Sequence, residues 1–475
     1  MTFFSKKPWL QALLLAGLAV GCTTVQKTAL DTPTQAQLWL TTADKSVLFQ
    51  PQAPLVFQKT EAAAQVPAIT VSESETFQTM DGFGYTLTGG SAFHLHNMTS
   101  AARATLLQEL FSTQGNGIGI SYLRVSVGAS DLDSAVFSYN DLPTGQTDPN
   151  QEKFSLDHDR NFLIPVLKEI LAINPEIKIL GSPWSPPTWM KTNNNSKGGS
   201  LKPEWYDAYA RYFVKYIQEM KKEGIAIDAI TVQNEPLHPG NNPSLLMLAP
   251  DQAIFVKNHL GPAFREAKLT AKIIIYDHNL DRPDYPISIL NDPEAKQYID
   301  GSAFHLYGGK IEAMSAVHDA HPDKHVYFTE QWIGAPGNFP ENLQWHVREL
   351  IIGAPRNWAR NVLEWNLAAD PDERPFTPGG CSQCLGAITL NGDQVTRNPA
   401  YYIIAHASKF VRPGSVRIGS NLPESLPNVA FKTPGGQRVV IVLNNGKTPQ
   451  AFQLNHQNKS LSTSLQPGAV GTYVW

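Results

Sequence analysis

The feature that most constrains the fold is an alternation of short apolar segments with amphipathic helical segments, which starts at Phe77 and continues to about residue 408. Such an alternation predicts parallel strands joined by helical crossovers. Eight segments have the composition of buried strands: Gly82–Tyr85, Tyr122–Val127, Lys178–Ser182, Ala229–Asn234, Lys272–Tyr276, Gly301–His305, Val326–Thr329 and Val362–Trp365. Helical segments fall between them: Ala101–Phe111, Asn161–Ile170, Glu204–Glu223, Gln252–Ala267, Ile311–Ala320 and Asn342–Ile352. Eight strands with helical crossovers favour an α/β fold, a closed (β/α)₈ TIM barrel, over an open doubly wound sheet.

The chain changes character after the barrel segment. Short alternating segments follow one another there without helices, and turn signals such as Pro434-Gly-Gly separate them. This pattern is typical of an antiparallel β-sandwich. An early strand near Trp39–Thr42 is expected to join it, so that the sandwich is built from both chain ends. We therefore expect N-terminal strands at 37–76, the barrel at 77–408 and the C-terminal part of the sandwich at 409–475.

The beginning of the chain has the pattern of an export signal. A basic start precedes the apolar stretch Leu10–Val20, which is too short to span a bilayer. We predict a lipoprotein signal peptide at 1–21, lipidation of Cys22, and a flexible tether at 22–36. An ordinary signal peptide with a coincidental cysteine is the alternative. The absence of Asp directly after Cys22 favours an exported protein anchored in the outer membrane, facing either the periplasm or the exterior.

Two further cysteines, Cys381 and Cys384, lie three residues apart. Export permits a disulfide, and two thiols cannot form a four-ligand zinc site unaided. We expect a local disulfide, with two free thiols as the alternative. The thirteen histidines form no spaced ligand cluster, so we expect no metal or other cofactor. A net charge of −4 with dispersed charges of both signs gives no sign of nucleic-acid binding.

Two glutamates lie where predicted strands end. Glu235 follows the fourth strand, between Asn234 and Pro236, and Glu330 follows the seventh. Side chains at the carboxyl ends of barrel strands converge on one pocket. A pair of carboxylates flanking a glycosidic bond can hydrolyse it, and retention of configuration requires a separation of about 5–5.5 Å. A single glutamate would more simply be a surface residue, but the pair predicts a glycosidase.

Several motifs in register strengthen this interpretation. They are Asp81-Gly-Phe-Gly84, Ser182-Pro-Trp-Ser-Pro-Pro-Thr-Trp-Met-Lys-Thr-Asn193, Asn234-Glu-Pro236, Phe304-His-Leu-Tyr307 and Thr329-Glu330. Together they resemble glycoside hydrolase family 30, and in particular its glucosylceramidase (acid β-glucosidase) branch. The resemblance extends from about Trp39 to the C-terminus. Asn-Glu-Pro is shared by a large clan of barrel glycosidases, whereas the long Ser-Pro-Trp segment is more specific.

The resemblance implies roles for individual residues. Glu235 matches the general acid/base and Glu330 matches the nucleophile. Asn234 matches the residue that binds the sugar 2-hydroxyl, and Arg124 matches a buried arginine beside the nucleophile. Trp184 and Trp365 match aromatic residues that form walls of the sugar site. His305 and Tyr307 match residues that flank the nucleophile. A packed barrel interior is the alternative role for both tryptophans and the histidine.

Departures from the glucosylceramidase pattern bear on the identity of the sugar. Gly89 stands where the resemblance leads us to expect an aspartate that binds the 3- and 4-hydroxyls. A tyrosine expected shortly after Asn-Glu-Pro is missing, and the segment around Cys381 replaces one that shapes the pocket rim. We therefore expect other side chains near strand ends to bind the distal hydroxyls. The candidates are Asp131, Asp277 and His278.

The sequence thus predicts a lipid-anchored retaining β-glycosidase, glucosylceramidase-like, that cleaves β-glucosidic bonds in a glycolipid or a β-glucan. An endo-β-1,6-glucanase is the first alternative, followed by enzymes of the same family acting on xylan, fucosides or galactan. A non-catalytic carbohydrate-binding surface lipoprotein is the alternative from another class. The presence of both Glu235 and Glu330 argues against it, because a binding protein needs no nucleophile. The oligomeric state stays open.

Overall fold

A computed structural model describes residues 34–59 and 66–475. The expected signal peptide, Cys22 and most of the expected tether lie outside the described residues. Gln35 and Ala36, which we expected in the tether, belong instead to the strand Gln35–Thr41. The alternation of inward and outward side chains along this strand begins at Ala36, whose side chain lies in the core of the sandwich. Within the described ranges, no helix is long and apolar enough to cross a membrane.

Eight parallel strands close into a barrel, which confirms the predicted fold class. In chain order they are Gly82–Thr86, Tyr122–Ser126, Lys178–Ser182, Ala229–Thr231, Lys272–Asn279, Ile299–His305, His325–Glu330 and Ala359–Asn366. Each strand pairs with its neighbour in sequence, and the eighth pairs with the first. Seven strands each contribute one apolar side chain to an interior layer: Tyr122, Leu180, Ala229, Ile274, Ala303, Tyr327 and Leu363.

Helices surround the barrel. The α-helices are Gly89–Asn97, Ser100–Phe111, Asp157–Asn161, Leu163–Ile173, Tyr206–Lys222, Ala249–Phe255, Gly261–Glu266, Asp284–Leu290, Pro293–Lys296, Ala313–Ala320, Phe339–His346, Ala354–Arg356 and Pro399–Ser408. Short 3₁₀ turns form at Thr188–Met190 and Pro203–Trp205, and π-helical segments at Val256–Leu260 and Val347–Gly353. Two helices begin three residues earlier than predicted, at Ala249 and Phe339. Each has a proline in its first turn, a position that proline favours because backbone N–H groups there have no partner within the helix.

The second layer of the molecule is the β-sandwich, in a sheet of eleven strands. They are Gln35–Thr41, Gln50–Pro51, Leu55–Val56, Gln58–Lys59, Ala68–Thr79, Val416–Ser420, Asn428–Lys432, Arg438–Leu443, Gln450–His456, Lys459–Leu465 and Val470–Val474. Both chain ends contribute, since the first of these strands pairs with the last. The sequence missed Lys459–Leu465, a Ser-rich strand that forms a hairpin with Gln450–His456. Smaller sheets lie at Ile333–Gly334 with Cys384–Leu385, and at Ala368–Ala369, Ile388–Asn391 and Gln394–Arg397.

One sandwich strand, Arg438–Leu443, is buried on both faces. Val440 and Val442 belong to the sandwich core, whereas Val439 and Ile441 belong to the core that contains the barrel and its helices. Successive side chains of a strand point to opposite faces, so one strand serves both cores. The sandwich therefore braces the barrel through a continuous apolar contact.

Candidate active site

The floor of the site follows from the period of the barrel strands. Inward side chains recur at every second residue of a strand. Two residues beyond the apolar interior layer, five of the seven strands have polar side chains that are fully buried: Arg124, Ser182, Thr231, His305 and Thr329. The carboxyl ends of the strands therefore hold a polar layer on top of an apolar one, as in other barrels whose sites lie at that end.

Asp277 is the hub of this polar layer. Its carboxylate accepts hydrogen bonds of 2.6–3.0 Å from Arg124, Ser182, Thr231, His305 and Thr329. Burial alone would raise the pKa of Asp277, but the charge of Arg124 and the contacts of His305 hold it well below its usual range. The expectation that Asp277 binds sugar hydroxyls is therefore wrong, because its oxygens are fully occupied beneath the pocket.

Arg124 connects the hub to the pocket. It donates to Glu330 at 2.5 Å and to the side-chain oxygen of Asn234 at 2.6 Å. Its guanidinium also lies 4.7 Å from the ring centre of Trp184. Since Arg124 occupies the oxygen of Asn234, the amide nitrogen of Asn234 is the atom left to donate to a ligand in the pocket.

The two glutamates are brought together as the sequence predicts. One oxygen of Glu235, one oxygen of Glu330 and a ring nitrogen of His305 all lie within 4.8 Å of one another. Tyr307 donates its hydroxyl to Glu330 at 3.0 Å. The contacts of Glu235 are longer, at 3.4 Å to His305 and 3.4 Å to Asn241. This close approach has the spacing of a retaining pair rather than the roughly 6.5–9.5 Å of an inverting one.

The backbone that presents Glu235 departs from the strand we predicted. The fourth barrel strand ends at Thr231 instead of Asn234. The N–H groups of Asn234 and Glu235 instead bond to the carbonyls of Pro183 and Asp277, at 2.8 and 3.0 Å. Glu235 has a φ of 45°, an uncommon value for a residue with a side chain. Neighbouring strands thus hold Glu235 in a strained conformation that turns its carboxyl toward Glu330.

The charges of the site are shared among several groups. Burial by itself lowers the pKa of His305, but the negative charge of Glu330 and the contacts with Asp277 and Glu235 outweigh it and raise the pKa to about 9. Two cations, Arg124 and His305, therefore face three carboxyls. Burial, together with the charge of Glu235, raises the pKa of Glu330, and the charges of His305 and Arg124 oppose that rise. Because the two carboxyls lie so close together, they titrate as a coupled pair.

The pocket above this layer has a volume of about 630 Å³. Residues singled out from the sequence that line it are Asp131, Trp184, Asn234, Glu235, His278, Tyr307, Glu330, Trp365, Cys381 and Cys384. Sequence reasoning missed six others: His238, Asn241, Asn279, Leu306, Gln331 and Trp332. Leu306, Gln331 and Trp332 follow a barrel strand by one or two residues and Asn279 ends one, so position at a strand end was a usable signal for these four.

The wall opposite Tyr307 is aromatic. The rings of Trp184 and Trp365 are 5.3 Å apart and inclined by 31°. The disulfide between Cys381 and Cys384 completes this wall, because Cys384 belongs to the same apolar cluster. The apolar faces of a sugar ring suit such a surface.

Asp131 supplies a carboxyl to this wall. The backbone N–H of Cys381 donates to it at 3.2 Å. Burial and the charge of Glu330 raise the pKa of Asp131 to about 7. Gly89, in contrast, faces Asp133 rather than the pocket. A Cβ built on Gly89 would lie 1.6 Å from a carboxylate oxygen of Asp133. The glycine therefore makes room for Asp133, and Asp131 is the acidic residue that reaches the pocket.

His278 is the third candidate for binding distal hydroxyls, and it also lies in the pocket. Burial lowers the pKa of His278 to about 4, so the ring is neutral at physiological pH. Its Nδ1 is buried and finds no hydrogen-bond partner among residues 34–59 and 66–475. A sugar hydroxyl could satisfy this nitrogen.

The comparisons with known proteins agree with this geometry. The Glycosyl hydrolase family 30 TIM-barrel domain matches residues 80–411, and the family 30 beta sandwich domain matches residues 414–473. The chain belongs to glycosyl hydrolase family 30. It is a glycoside hydrolase, and both predicted domains are those of the family.

Relatives that are similar to this chain include proteins named for two different activities. The endo-1,6-β-D-glucanase of Aspergillus fumigatus is 32% identical over 82% of this chain and 86% of the relative. A solved endo-β1,6-glucanase is 35% identical, covers 93% of this chain and 99% of that chain, and has a TM-score of 0.86. The lysosomal acid glucosylceramidase of Mus musculus is 29% identical over 86% of this chain and 83% of the relative. The two activities that the sequence analysis placed first, glucosylceramidase and endo-β-1,6-glucanase, are both represented among the relatives.

Proposed function

We propose that this glycoside hydrolase cleaves β-1,6-linked glucan with retention of anomeric configuration. The observation that carries the mechanism is the approach of Glu235 and Glu330 to within 4.8 Å above a buried ion network. The glucan is supported by the greater identity to proteins named as endo-1,6-β-glucanases, at 32% and 35%, than to the glucosylceramidase, at 29%.

Glu330 is the nucleophile in this proposal. Arg124 and Tyr307 both donate to it, and hydrogen bonds to a carboxylate favour its ionised form. An oxygen of Glu330 attacks the anomeric carbon and forms a glycosyl ester as the bond to the leaving oxygen breaks. Arg124 acts as a positioning residue, since it holds the carboxylate in one orientation from beneath.

Glu235 is the acid and then the base. In this proposal Glu235 carries a proton when the substrate binds, because its hydrogen bonds are longer than those of Glu330, and the proton passes to the leaving oxygen in the first step. In the second step Glu235 removes a proton from water, the water oxygen bonds to the anomeric carbon, and Glu330 is released as a carboxylate. One residue serves both proton transfers, because the second step is the microscopic reverse of the first with water in place of the leaving alcohol.

The remaining pocket residues bind the sugar. The amide nitrogen of Asn234 donates to the 2-hydroxyl, next to the reacting carbon. Trp184 and Trp365 pack against the ring, and Asp131 accepts from hydroxyls on its far side. A carboxylate hydrogen bond of this kind contributes about 1.5–3 kcal/mol. This set fits a glucosyl unit whose reacting carbon lies over the two glutamates.

The substrate is tested with purified protein starting after Cys22. Initial rates are compared on a β-1,6-glucan, glucosylceramide in mixed micelles, a xylan and a β-1,6-galactan, with Glu330→Gln as the inactive control. We expect β-1,6-glucan to give the highest kcat/KM by at least about ten-fold. A higher kcat/KM on glucosylceramide would overturn the glucan proposal in favour of the sphingolipid substrate, while leaving the mechanism intact.

We also propose that Cys22 anchors the exported enzyme to the outer membrane through lipid. The support is the apolar stretch Leu10–Val20 followed by Gly21 and Cys22. The full-length chain is expressed in a Gram-negative host beside Cys22→Ser, and fractions are assayed for the protein. We expect the unaltered chain in the outer-membrane fractions and Cys22→Ser in the other fractions. Equal fractionation of both would contradict the anchor.

A further inference from the structure

Lys191 is a buried cation that the two catalytic steps above do not use. It belongs to the long Ser-Pro-Trp segment that follows the third barrel strand, and it is fully buried. Burial lowers the pKa of its ammonium to about 7, and within the described ranges no carboxylate pairs with it to oppose that effect. A cation in such a place is unfavourable unless its donors all find acceptors. Its hydrogen bonds therefore show which parts of the structure it serves.

The ammonium of Lys191 joins three segments at the carboxyl end of the barrel. It donates to the hydroxyl of Ser185 at 2.9 Å and to the carbonyls of Ser196 and Ser244 at 2.8 and 2.6 Å. Ser185 and Ser196 lie after the third barrel strand, and Ser244 lies after the fourth. Three acceptors match the three donors of an ammonium. Lys191 therefore fixes the segment after the fourth strand against two segments that follow the third.

The carbonyl of Ser244 depends on this lysine. Ser244 is buried, and among residues 34–59 and 66–475 Lys191 is the one donor to its carbonyl oxygen. The N–H of Ser244 donates instead to the carbonyl of Ser196 at 2.9 Å, and its hydroxyl accepts from the N–H of Gly198 at 2.9 Å. A buried carbonyl that loses its donor is unfavourable. Without the ammonium, the segment around Ser244 is therefore expected to shift toward water.

The same segment supplies one of the two contacts of the acid/base. Asn241 donates to the carboxyl of Glu235 at 3.4 Å, and the other partner of that carboxyl is His305, also at 3.4 Å. Asn241 lies three residues before Ser244, so its position depends on where that segment is held. Lys191 thus reaches Glu235 through Ser244 and Asn241.

We propose that Lys191 is a positioning residue for the general acid: it holds the segment 241–244 so that Asn241 orients the carboxyl of Glu235 toward the leaving oxygen. The inference rests on the role of Glu235 in the proposed function. It gives a part in proton transfer to a residue outside the set that lines the pocket. A lysine that only stabilised the fold would affect all substrates alike, and this difference provides the test.

The test compares two substrates that share a sugar and differ in their need for a proton. The leaving group of phenyl β-glucoside needs a proton as it departs, whereas that of 2,4-dinitrophenyl β-glucoside does not. The ratio of their kcat/KM values measures acid catalysis, because kcat/KM covers the reaction only up to its first irreversible step. A general acid supplies about 10²–10⁴-fold. For Lys191→Met we expect kcat/KM on phenyl β-glucoside to fall about ten-fold more than on the dinitrophenyl substrate, which is part of that effect.

Asn241→Ala tests the route by which Lys191 acts. It should shift the ratio by a similar factor, and combining it with Lys191→Met should add little, because both changes remove the same contact with Glu235. Lys191→Gln is the second variant, and it is used if Lys191→Met does not fold. Glutamine is neutral and has two donors for the three acceptors, so the ratio should change in the same direction.

Lys409→Met is the matched control. Lys409 also donates to three carbonyls, those of Thr113, Gly115 and Gly117, at 3.0, 2.9 and 2.7 Å. These carbonyls lie in the loop that leads into the second strand, at the opposite end of the barrel from the pocket. Lys409→Met should lower Tm and leave the ratio at its wild-type value.

Two results would overturn the inference while leaving the proposed function intact. One is a wild-type ratio in Lys191→Met, or in Lys191→Gln where that variant replaces it, beside a changed ratio in Glu235→Gln. The other is a wild-type ratio in Asn241→Ala. A wild-type ratio in Glu235→Gln itself would show that the proposed acid is wrong, and the role of Lys191 would be refuted with it.

Discussion

The guanidinium of Arg124 lies 2.5 Å from the carboxylate of Glu330, and their side chains are 0% and 7% exposed. A charged pair so far from solvent depends on both partners, because removing either one leaves the other as a buried charge that has lost its nearest partner. In the proposed mechanism Arg124 favours the ionised form of Glu330, and it also positions Asn234 and Asp277.

Replacing this arginine should affect both rate and stability. In Arg124→Lys a single ammonium cannot reach Glu330, Asn234 and Asp277 at once, since lysine lacks the planar fork of donors. We expect kcat to fall by about 100-fold and the free energy of unfolding by about 3 kcal/mol. Steady-state kinetics and urea unfolding measure the two effects. Arg160→Lys, an exposed pair with Glu223, should change neither, and a wild-type kcat in Arg124→Lys would contradict the assignment.

The roles of the two glutamates can be separated by the leaving group. Glu235→Gln should lower kcat about 10²–10⁴-fold on glucan, where the leaving oxygen needs a proton. With 2,4-dinitrophenyl β-glucoside, whose leaving group needs none, the first step should stay fast. Azide should then restore turnover, because it attacks the anomeric carbon in place of water and needs no general base.

Glu330→Gln should be inactive on both substrates and insensitive to azide. The exposed Glu204→Gln is the control for handling and folding. Azide rescue of Glu330→Gln with retained configuration would show that the roles had been assigned to the wrong carboxyls.

Asp131 should control affinity for the sugar. The loss of a charged acceptor in Asp131→Asn weakens a hydrogen bond worth about 1.5–3 kcal/mol, so kcat/KM should fall roughly 10- to 100-fold. Inhibition by a glucose-like iminosugar, measured as Ki, should weaken by a similar factor. Asp319→Asn, at the surface, serves as the control. A Ki within two-fold of wild type would exclude Asp131 from sugar binding.

His305 should give the enzyme an alkaline limit. Its pKa is raised to about 9 by facing carboxyls, so the folded state binds the proton more tightly than the unfolded chain. That stabilisation is complete below the usual histidine pKa of about 6.5 and is lost as the pH rises through about 9. The facing groups are Glu235, Glu330, Asp277, Tyr307 and His278.

The measurement is Tm from pH 6 to pH 10 for wild type and His305→Gln. Wild-type Tm should decline between about pH 6.5 and 9.5, together with kcat/KM, whereas the variant should start lower and lose this decline. Parallel curves for the two proteins would mean that another group sets the alkaline limit.

The sequence predicts the positions of side chains at regular strand ends better than those at irregular backbone. Glu235 and Glu330 were found because a strand end in a barrel determines where a side chain lies, whatever the details of the backbone. Asp277 was misjudged because the backbone is irregular there. Tyr276 and Asp277 have φ values of 72° and 66°, and the register with the sixth strand shifts between Tyr276 and His278. The shift leaves Asp277 beneath the pocket and His278 in it, which residue spacing alone cannot predict.

Gly89 shows a second limit. Its spacing from the Asp-Gly-Phe-Gly motif suggested a missing sugar ligand, but the contact that decides its role is with Asp133. The contact of the disulfide loop with Trp184 and Trp365 likewise joins segments far apart in sequence. Closure of the barrel brings these distant segments into contact, and a local sequence pattern cannot predict such contacts.

The most direct test of the account follows the anomers of the sugar released from β-1,6-glucan by proton NMR, with wild-type enzyme and readings in the first minutes. Because Glu235 and Glu330 approach within 4.8 Å, we predict that the β-anomer appears first and that the α-anomer grows only with mutarotation. An α-anomer that appears first would contradict the double-displacement mechanism and with it the assigned roles of both glutamates.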